Sequence, residues 1–383
     1  MPRPPRVALL IETASSYGRG LLRGISRYAR LHGPWSFFLE PGGQEENPPP
    51  LREWGVDGVI TLLRTRRQAR RLLAARLPLV DLDFTIPGLV PWGVCNDEVG
   101  VATLAAEHLL SRGLRHFAFV GGSEPEDSLW EIQRRDAFVA ALGRSGFETR
   151  VYPWPALPWG REQKRLARWL KRLPRPVGVL ASNDQRARHL LEAARLGGVA
   201  VPDELAVIGV DNDETLCELS TPSISSIALD TDAIGYEGAA LLHALMRGRR
   251  APKKMVLVPP LGVVARRSTD LLAMADPAVV AAVRFMDANL GRPIRIADVL
   301  SVAGLSRKTL EVRFRKSIGR TPHEELQRRR LERVKSLLRQ TGSPLKQIAK
   351  ATGFTYVEHL HRIFRQHAGM TPSEYRRQGR GMP

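Results

Sequence analysis

The sequence predicts an α/β domain built on parallel sheets, followed by an all-α domain. From Arg6 to about Thr269, short apolar runs such as VALLIE, DGVITLL and PVGVLAS alternate with amphipathic stretches, which is the pattern of buried parallel strands joined by helices. From Pro277 to the end, the apolar spacing is helical. The last 107 residues hold 22 Lys or Arg against 8 Asp or Glu, and so carry +14 of the net charge of +19. This excess favours a polyanionic partner such as nucleic acid, although an Arg-rich composition alone would also produce it.

The α/β part contains five further strand-like runs, WSFFLE, LPLVDL, WGVC, HFAFVGG and ELAVIGVD. Helices are predicted near Arg19–Leu31, Glu98–Ser111, Leu129–Leu142 and Gln185–Leu196. Because the strand-like runs are apolar throughout, we expect sheets that helices cover on both faces. We place this domain at residues 5–270 and the helical domain at residues 276–380, with Ser268–Met274 as a short connector.

Polar side chains gather where four of the apolar runs end. They are Ser15, Ser16, Tyr17 and Arg19, then Asn96 and Asp97, then Asn183 and Asp184, and finally Asp211, Asn212 and Asp213. Any one of them could be a helix N-cap, since Asn, Asp and Ser cap helices that follow strands. Ligands of parallel sheets bind beyond the carboxyl ends of the strands. Four clusters, with an arginine available at 134 or 135, therefore favour a cleft that hydrogen-bonds a polyhydroxylated ligand.

Two segments of the helical part have the pattern of a helix-turn-helix. In residues 294–317, a helix at Ile296–Val302 is followed by Gly304 in a turn, by Ser306 as N-cap and by a second helix with an inward i, i+4 pair. Residues 344–367 repeat the pattern about fifty residues later. The inward pairs are Leu310 with Phe314 and Leu360 with Phe364. A duplicated pattern arises by chance far less often than a single one.

The exposed faces of the two second helices are expected to contact DNA, because they carry donors, acceptors and positive charge suited to base edges and phosphates. The predicted DNA-binding residues are Arg307, Lys308, Glu311, Val312, Arg315, Lys316, Thr355, Tyr356, His361, Arg362 and Arg365. The residues assigned to bases are Lys308, Glu311, Val312, Tyr356, His361 and Arg362, and those assigned to phosphates are Arg315, Lys316, Arg365 and Lys346. For any one of them, a solvated surface side chain is the alternative.

The long helix Pro322–Leu338 joins the two units, which we expect to enter successive major grooves.

The α/β part resembles the effector-binding domain of LacI-type repressors over about 260 residues. The resemblance is carried by VCNDEVGVATLAAEHLLSRGLRHFAFVG, VLASNDQRARHLLEAARLGGVAVPDELAVIGVDNDE and SSIALDTDAIGYEGAALL. It implies a two-lobed, periplasmic-binding-protein-like fold that holds a sugar between its lobes. It also implies that the chain crosses between the lobes near Gly121–Gly122 and returns near Asp230.

The helical part resembles the AraC-type DNA-binding domain over about 100 residues. The matching positions are Ile348, Ala349, Gly353, Phe354, Phe364, Gly369, Thr371, Pro372, Tyr375 and Arg376. Leu360 departs from the pattern, because the family usually has an aromatic residue there. This difference concerns the core and leaves the exposed face unchanged.

A LacI-type sensor followed by an AraC-type reader resembles a family of bacterial regulators of pentose use. The resemblance implies a homodimer that binds operator DNA, responds to D-xylose or a related pentose and activates transcription with RNA polymerase. We expect a cytoplasmic location, since the N-terminal apolar run is short and lacks an A-x-A cleavage pattern. The sugar-binding residues that it implies are Tyr17, Arg19, Asp97, Trp130, Arg134, Asp184, Asp211 and Asn212. We expect no membrane partner, since no stretch approaches about 18 apolar residues.

Other functions fit parts of the sequence. Gly18, Gly20 and Gly24, with Glu40 further on, resemble the fingerprint of a nicotinamide-dependent oxidoreductase, but the glycine spacing is one residue too long and no Tyr-x-x-x-Lys pair follows. A DNA-binding protein without an effector, or a regulator of this architecture for another monosaccharide, also stays open. We expect no catalytic residues, metal site or cofactor, because the chain lacks the G-x-x-x-x-G-K-[ST], H-E-x-x-H and G-x-S-x-G motifs.

Overall fold

The computed structural model describes residues 3–39, 51, 53–83, 86, 92–122, 128–153, 157–252, 254–270 and 276–378. The chain forms two compact units, the first of residues 1–106 and 116–269 and the second of residues 107–115 and 270–383. Glu40, the acidic residue of the nucleotide-like pattern, lies outside the described residues. Within these ranges no helix is long and apolar enough to cross a membrane.

Strands and helices alternate through the α/β part, as predicted. The elements are β1 (Arg6–Leu10), α1 (Ser16–His32), β2 (Ser36–Leu39), β3 (Gly58–Thr61), α2 (Arg66–Ala74), β4 (Leu79–Asp81), β5 (Val94–Asn96), α3 (Glu98–Ser111), β6 (His116–Val120), α4 (Leu129–Arg144), β7 (Thr149–Val151), α5 (Trp159–Lys171), β8 (Val177–Ala181), α6 (Asp184–Gly197), β9 (Leu205–Asp211), α7 (Glu214–Leu219), β10 (Ser225–Ala228), α8 (Thr231–Met246), β11 (Val256–Val258) and β12 (Gly262–Val264).

The strands form two main sheets, each with its own hydrophobic core. The first sheet has the order β2-β1-β3-β4, and all of its strands are parallel. The second has the order β12-β10-β9-β8-β6-β7 and is parallel except for β12. β5 and β11 form a separate parallel pair. β3 and β8 are buried along their whole length, as expected for strands that helices cover on both faces, and the predicted two-lobed α/β architecture is confirmed.

The chain passes between the two lobes three times, and one passage differs from the prediction. β6, which begins at His116, already pairs within the second sheet, so the passage expected at Gly121–Gly122 was placed too late. That prediction was wrong because β6 has the same apolar pattern as the earlier strands. The return near Asp230 is confirmed, since Ile234 and Leu242 of α8 pack into the first core. A third passage lies between β11 and β12.

The glycines of the nucleotide-like pattern allow α1 to pack closely. A Cβ atom at Gly20 would lie 1.9 Å from Thr231 Oγ1, and one at Gly24 would lie 2.0 Å from the Asp232 carbonyl oxygen. Both contacts are with α8. Close helix packing therefore accounts for the spacing of these glycines without a nucleotide.

The second unit is helical from residue 277 onward. Its helices are α9 (Pro277–Ala288), α10 (Ile296–Ala303), α11 (Arg307–Ile318), α12 (Pro322–Gln340), α13 (Leu345–Ala351), α14 (Val357–Ala368) and α15 (Pro372–Gln378). One core includes Leu310 and Phe314 of α11, and another includes Leu360 and Phe364 of α14. The two predicted helix-turn-helix units therefore each have a core of their own.

The helices that follow the two helix-turn-helix units, α12 and α15, begin with the same capping signal fifty residues apart. Thr321 N donates to Glu324 Oε2 at 2.7 Å, and Glu324 N donates back to Thr321 Oγ1 at 3.3 Å. Thr371 and Glu374 form the same reciprocal pair, at 2.7 and 3.2 Å. Each pair satisfies backbone donors that a helix start leaves without intrahelical partners.

Gly353→Ala should destabilise the second unit more than Gly369→Ala. Both glycines have positive φ angles, +72° and +70°, where an L residue costs about 1–2 kcal/mol. A Cβ atom at Gly353 would also lie 2.4 Å from the Arg292 carbonyl oxygen, whereas nothing lies within 4 Å at Gly369. We expect urea unfolding of the full chain to show a loss of about 1 kcal/mol for the Gly369 variant and at least ~3 kcal/mol for the Gly353 variant. Equal losses would contradict this contact.

Candidate effector cleft and DNA-reading surface

A buried ion pair joins the start of α3 to α4. Arg134 Nε lies 2.6 Å from Glu98 Oε2, and the two side chains are only 2% and 5% exposed. Arg134 also donates to the Ser182 carbonyl oxygen after β8, and its guanidinium lies 4.8 Å from the centre of the Trp130 ring. Burial raises the pKa of Glu98, and the charge of Arg134 opposes that rise. Because an unpaired buried charge is costly, each member of the pair requires the other.

Tyr17, at the first turn of α1, lies among carboxylates from both lobes. Its hydroxyl donates to the Leu82 carbonyl oxygen at 3.3 Å and accepts from Asn96 Nδ2 at 3.2 Å. Burial raises the pKa of Tyr17 well above its ordinary value, and the charges of Asp83 and Asp211 raise it further. Tyr17 therefore stays a neutral hydrogen-bond donor in a carboxylate-rich cleft.

The turn after β9 is strained and is held by Asp184. Asp211 and Asn212 have φ angles of +105° and +51°, which residues other than glycine adopt rarely. Asp184 is only 1% exposed and accepts a hydrogen bond from the Asp213 backbone N–H at 2.7 Å. Asn212 N donates to Ser226 Oγ at 3.0 Å. Asp184 thus supports the turn through Oδ2, while its Oδ1 has no hydrogen-bond partner among the described residues.

Asp184 and Asp211 interact electrostatically. Burial raises the pKa of Asp184 to about 7, and hydrogen bonds from Ser226 and the Asp213 amide oppose the rise. Burial and the neighbouring charge of Asp184 raise the pKa of Asp211 well above its ordinary value. Burial therefore favours a proton on this pair, and a protonated carboxyl can donate as well as accept a hydrogen bond.

Three polar atoms beyond the ends of β8 and β9 are buried without a protein partner. Ser182 Oγ, Asp184 Oδ1 and Asn212 Oδ1 make no hydrogen bond to any residue that the structure describes. Buried polar atoms nearly always have a partner, so these three are candidate positions for hydrogen bonds to a ligand. Ser182 was not among the predicted ligands, although it ends the run PVGVLAS.

Two other predicted sugar residues make local contacts. The exposed Arg19 donates from Nη1 to the carbonyl oxygens of Thr13 at 2.9 Å and Ala14 at 2.6 Å. Asp97 Oδ1 accepts from Gly100 N at 3.0 Å and so caps the start of α3. The structure therefore brings Tyr17, Trp130, Arg134, Asp211 and Asn212 to the strand ends and gives Arg19 and Asp97 roles in their own loops.

Charged residues at the strand ends of the first lobe were missed by the sequence reasoning. Arg64 Nη1 lies 2.6 Å from Asp83 Oδ2, and Arg64 Nη2 lies 3.7 Å from Glu12 Oε1. Each of the three closely follows an apolar run, which is the signal that could have found them. In the part of the chain that the structure describes, no group of three or more His, Cys, Asp or Glu could hold a metal ion.

The outer face of α11 carries the predicted DNA-binding residues of the first helix-turn-helix. Leu310 and Phe314 are 0% exposed and fix the inner face of the helix. The exposed residues are Arg307, Lys308, Val312, Arg315 and Lys316, while Glu311 is half-buried. Arg307 Nε lies 3.0 Å from Glu311 Oε1, so these two side chains form a surface ion pair.

The outer face of α14 and the turn before it form the matching surface of the second helix-turn-helix. Thr355, Tyr356, Arg362 and Arg365 are exposed, and His361 is half-buried. The face borders a cavity of ≈ 730 Å³, lined by Val357, Glu358, His361, Arg362, Arg365 and Gln366. With two arginines against one glutamate, its charge suits a polyanionic partner. Glu358 and Gln366 were not among the predicted residues.

The two outer helices begin differently. Ser306 is the N-cap of α11, and its hydroxyl accepts from Thr309 N at 3.3 Å. Tyr356 is the N-cap of α14, makes no capping hydrogen bond with its side chain and is 67% exposed. Absence of a capping side chain costs a helix about 1 kcal/mol. α14 is therefore less stable than it would be with a capping serine, and the uncapped position, Tyr356, lies on the outer face.

Family models match both parts of the chain. Residues 106–269 match a periplasmic binding protein-like domain, and residues 299–378 match a helix-turn-helix domain. Both matches agree with the architecture described above.

Several known regulators are similar to the chain over nearly its whole length. It is 31% identical to the xylose operon regulatory protein of Haemophilus influenzae over 383 residues, which cover 97% of this chain and 98% of that protein. The identity to the xylose operon regulatory protein of Escherichia coli is also 31%, over 97% and 96% of the two chains. A solved structure described as a xylose-binding transcription activator is 30% identical, with 98% of each chain covered and a TM-score of 0.63. The chain therefore belongs to the family of xylose operon regulatory proteins, and it is a sugar-sensing, DNA-binding transcription regulator of the AraC type rather than an enzyme.

Proposed function

We propose that this regulator binds D-xylose or a related aldopentose in its cleft and activates transcription of the genes for use of that sugar. The observation that carries the proposal is the group of three buried polar atoms beyond the ends of β8 and β9 that have no partner among the described residues, Ser182 Oγ, Asp184 Oδ1 and Asn212 Oδ1. Ser182 directly follows β8, where its carbonyl oxygen accepts from Arg134 of α4, and Asn212 directly follows Asp211 at the end of β9. The names of the relatives support xylose as the sugar, since two are named for the xylose operon and the solved one is described as xylose-binding.

The cleft residues have complementary roles in this proposal. Arg134 donates to sugar oxygens, Asp211 exchanges hydrogen bonds with hydroxyls, and Trp130 packs its ring against an apolar sugar face. Tyr17 contributes an acceptor oxygen from the other lobe, because its proton is donated to the Leu82 carbonyl oxygen. Because the sugar takes partners from both lobes, it favours the arrangement in which the lobes are close together. Arg19 and Asp97 act through the loops that they hold, whereas Asp184 holds the β9 turn through Oδ2 and offers Oδ1 to the sugar.

We further propose that α11 and α14 read two successive major-groove segments, about 34 Å apart. Lys308, Glu311, Val312, Tyr356, His361 and Arg362 contact bases in this arrangement. Arg315, Lys316, Arg365 and Lys346 contact phosphates, and Arg307 and Thr355 lie at the edges of the interface. A homodimer in the cytoplasm presents four such units beside RNA polymerase, and the sugar changes how the dimer presents them.

Trp130→Ala should weaken D-xylose binding about tenfold, because the sugar loses its aromatic contact. Trp130→Phe keeps a ring at the same place and should change the affinity less than about threefold. Titration calorimetry with D-xylose, L-arabinose, D-ribose and D-glucose measures both effects and the preference among sugars. If no pentose binds the wild-type protein, or if the alanine variant binds as tightly as wild type, the sugar assignment fails.

Asp184→Asn should reduce the pH dependence of folding stability. The pKa of Asp184 is about 7 in the folded chain against an ordinary value of 3.8, so the folded state holds a proton that the unfolded state releases. The stability from this proton is complete below about pH 4 and is lost as the pH rises through about 7. The variant should therefore show a shallower fall in melting temperature over this range. Asp203→Asn, at an exposed site, serves as the control, and a slope equal to wild type in both variants would refute the role.

Arg362→Ala should weaken operator binding about tenfold and relax the preference at one base pair. The matched control is Arg333→Ala, which removes an exposed arginine from α12. Fluorescence anisotropy on the operator and on each single-base-pair variant separates loss of charge from loss of base reading. If both variants lose the same affinity and keep the wild-type base preferences, Arg362 does not read a base.

A further inference from the structure

Three large apolar or aromatic side chains are exposed between residues 276 and 378, a stretch that the structure describes throughout. They are Val302, which is 46% exposed, Val312, which is 60% exposed, and Tyr356, which is 67% exposed. Val312 and Tyr356 lie on the proposed DNA-reading surface, whereas Val302 lies near the end of α10. Exposed apolar area in this unit is thus concentrated where bases are to be read.

Val312 is not needed by the helix-turn-helix fold. The repeat aligns Leu310 of α11 with Leu360 of α14, and both are 0% exposed. Two residues further on, α11 has Val312 where α14 has Arg362, and both of these side chains are exposed. The fold therefore accepts either a branched apolar side chain or a long cation at this outer position, and the difference lies in what each contacts outside the protein.

Tyr356 is also not needed by the fold. The equivalent residue of the first unit is Ser306, whose hydroxyl caps α11. Tyr356 provides no cap to α14 and leaves two thirds of its side chain exposed to solvent, at 67%. A residue that breaks a local rule without a compensating contact inside the protein is expected at a functional site.

The major groove presents one apolar group to a protein, the C5-methyl group of thymine. We infer that Val312 and Tyr356 each contact a thymine C5-methyl group, Val312 in the groove read by α11 and Tyr356 in the groove read by α14. This inference rests on the proposed DNA-reading role of the two helices. It predicts one thymine in the half of the operator read by α11 and another in the half read by α14. Because Val312 aligns with Arg362 and Tyr356 aligns with Ser306, the two helices should prefer different bases at equivalent positions.

Replacement of thymine by deoxyuridine tests the inference, because it removes the methyl group and keeps the base pairing. The operator is first selected from random duplex DNA with the full-length protein, and each of its thymines is then replaced singly. Wild-type protein should bind about fourfold more weakly at one or two positions in each half, the effect expected when one methyl group leaves an apolar contact.

Two variants assign each effect to a residue. Val312→Ala should bind thymine and deoxyuridine equally at the positions read by α11 and keep the fourfold loss in the other half. Tyr356→Ser should show the reverse. The new serine also supplies the cap that α11 already has, so the melting temperature should rise by a few degrees, which separates lost recognition from misfolding. Val302→Ala is the control and should keep the wild-type pattern.

A flat deoxyuridine series with wild-type protein would overturn the inference. So would a Val312→Ala protein that keeps the wild-type loss at every position. In either case a selected operator and a weakened Arg362→Ala protein would leave the proposed DNA reading intact. If no sequence can be selected at all, the DNA-reading role of the two helices fails together with the methyl contacts.

Discussion

The cleft depends on the ion pair between Glu98 and Arg134. Each charge is almost completely buried, so neither would be stable there without the other. The pair connects α3 to α4, and Arg134 extends the connection to the end of β8. Trp130 lies against the same guanidinium. The charge pair therefore fixes Arg134 and supports Trp130, two of the groups proposed to face a ligand.

The sequence predicts those parts of the fold that depend on interactions between residues close together in the chain. A capping serine such as Ser306, a turn glycine such as Gly304 and the spacing of apolar residues all act within a few residues, and the helices that they predict are present. The first passage between the lobes could not be predicted, because the sheet to which β6 belongs is decided by pairing with strands distant in the sequence. Gly20 and Gly24 show the converse, since a local pattern that resembles a nucleotide loop is explained by a helix far along the chain.

The sequence predicts which residues lie at the candidate site better than it predicts what each of them does there. Asp184 and Asp211 both follow apolar strands, and only the backbone of the β9 turn shows that one supports the position of the other. Glu98 was missed because its partner, Arg134, is 36 residues away. The outer faces of α11 and α14 were easier to predict. Residues three or four apart lie on the same face of a helix, so the spacing of apolar residues already separates core from surface positions.

Helix α12 takes part in both cores of the helical unit. Leu326 packs into the first core, and Leu331, Val334 and Leu338 pack into the second. Each residue of an α-helix adds about 100° of rotation, so inserting or deleting one residue between Leu326 and Leu331 would turn one core by about that angle relative to the other. The number of residues between Leu326 and Leu331 therefore fixes how the two cores are oriented relative to each other.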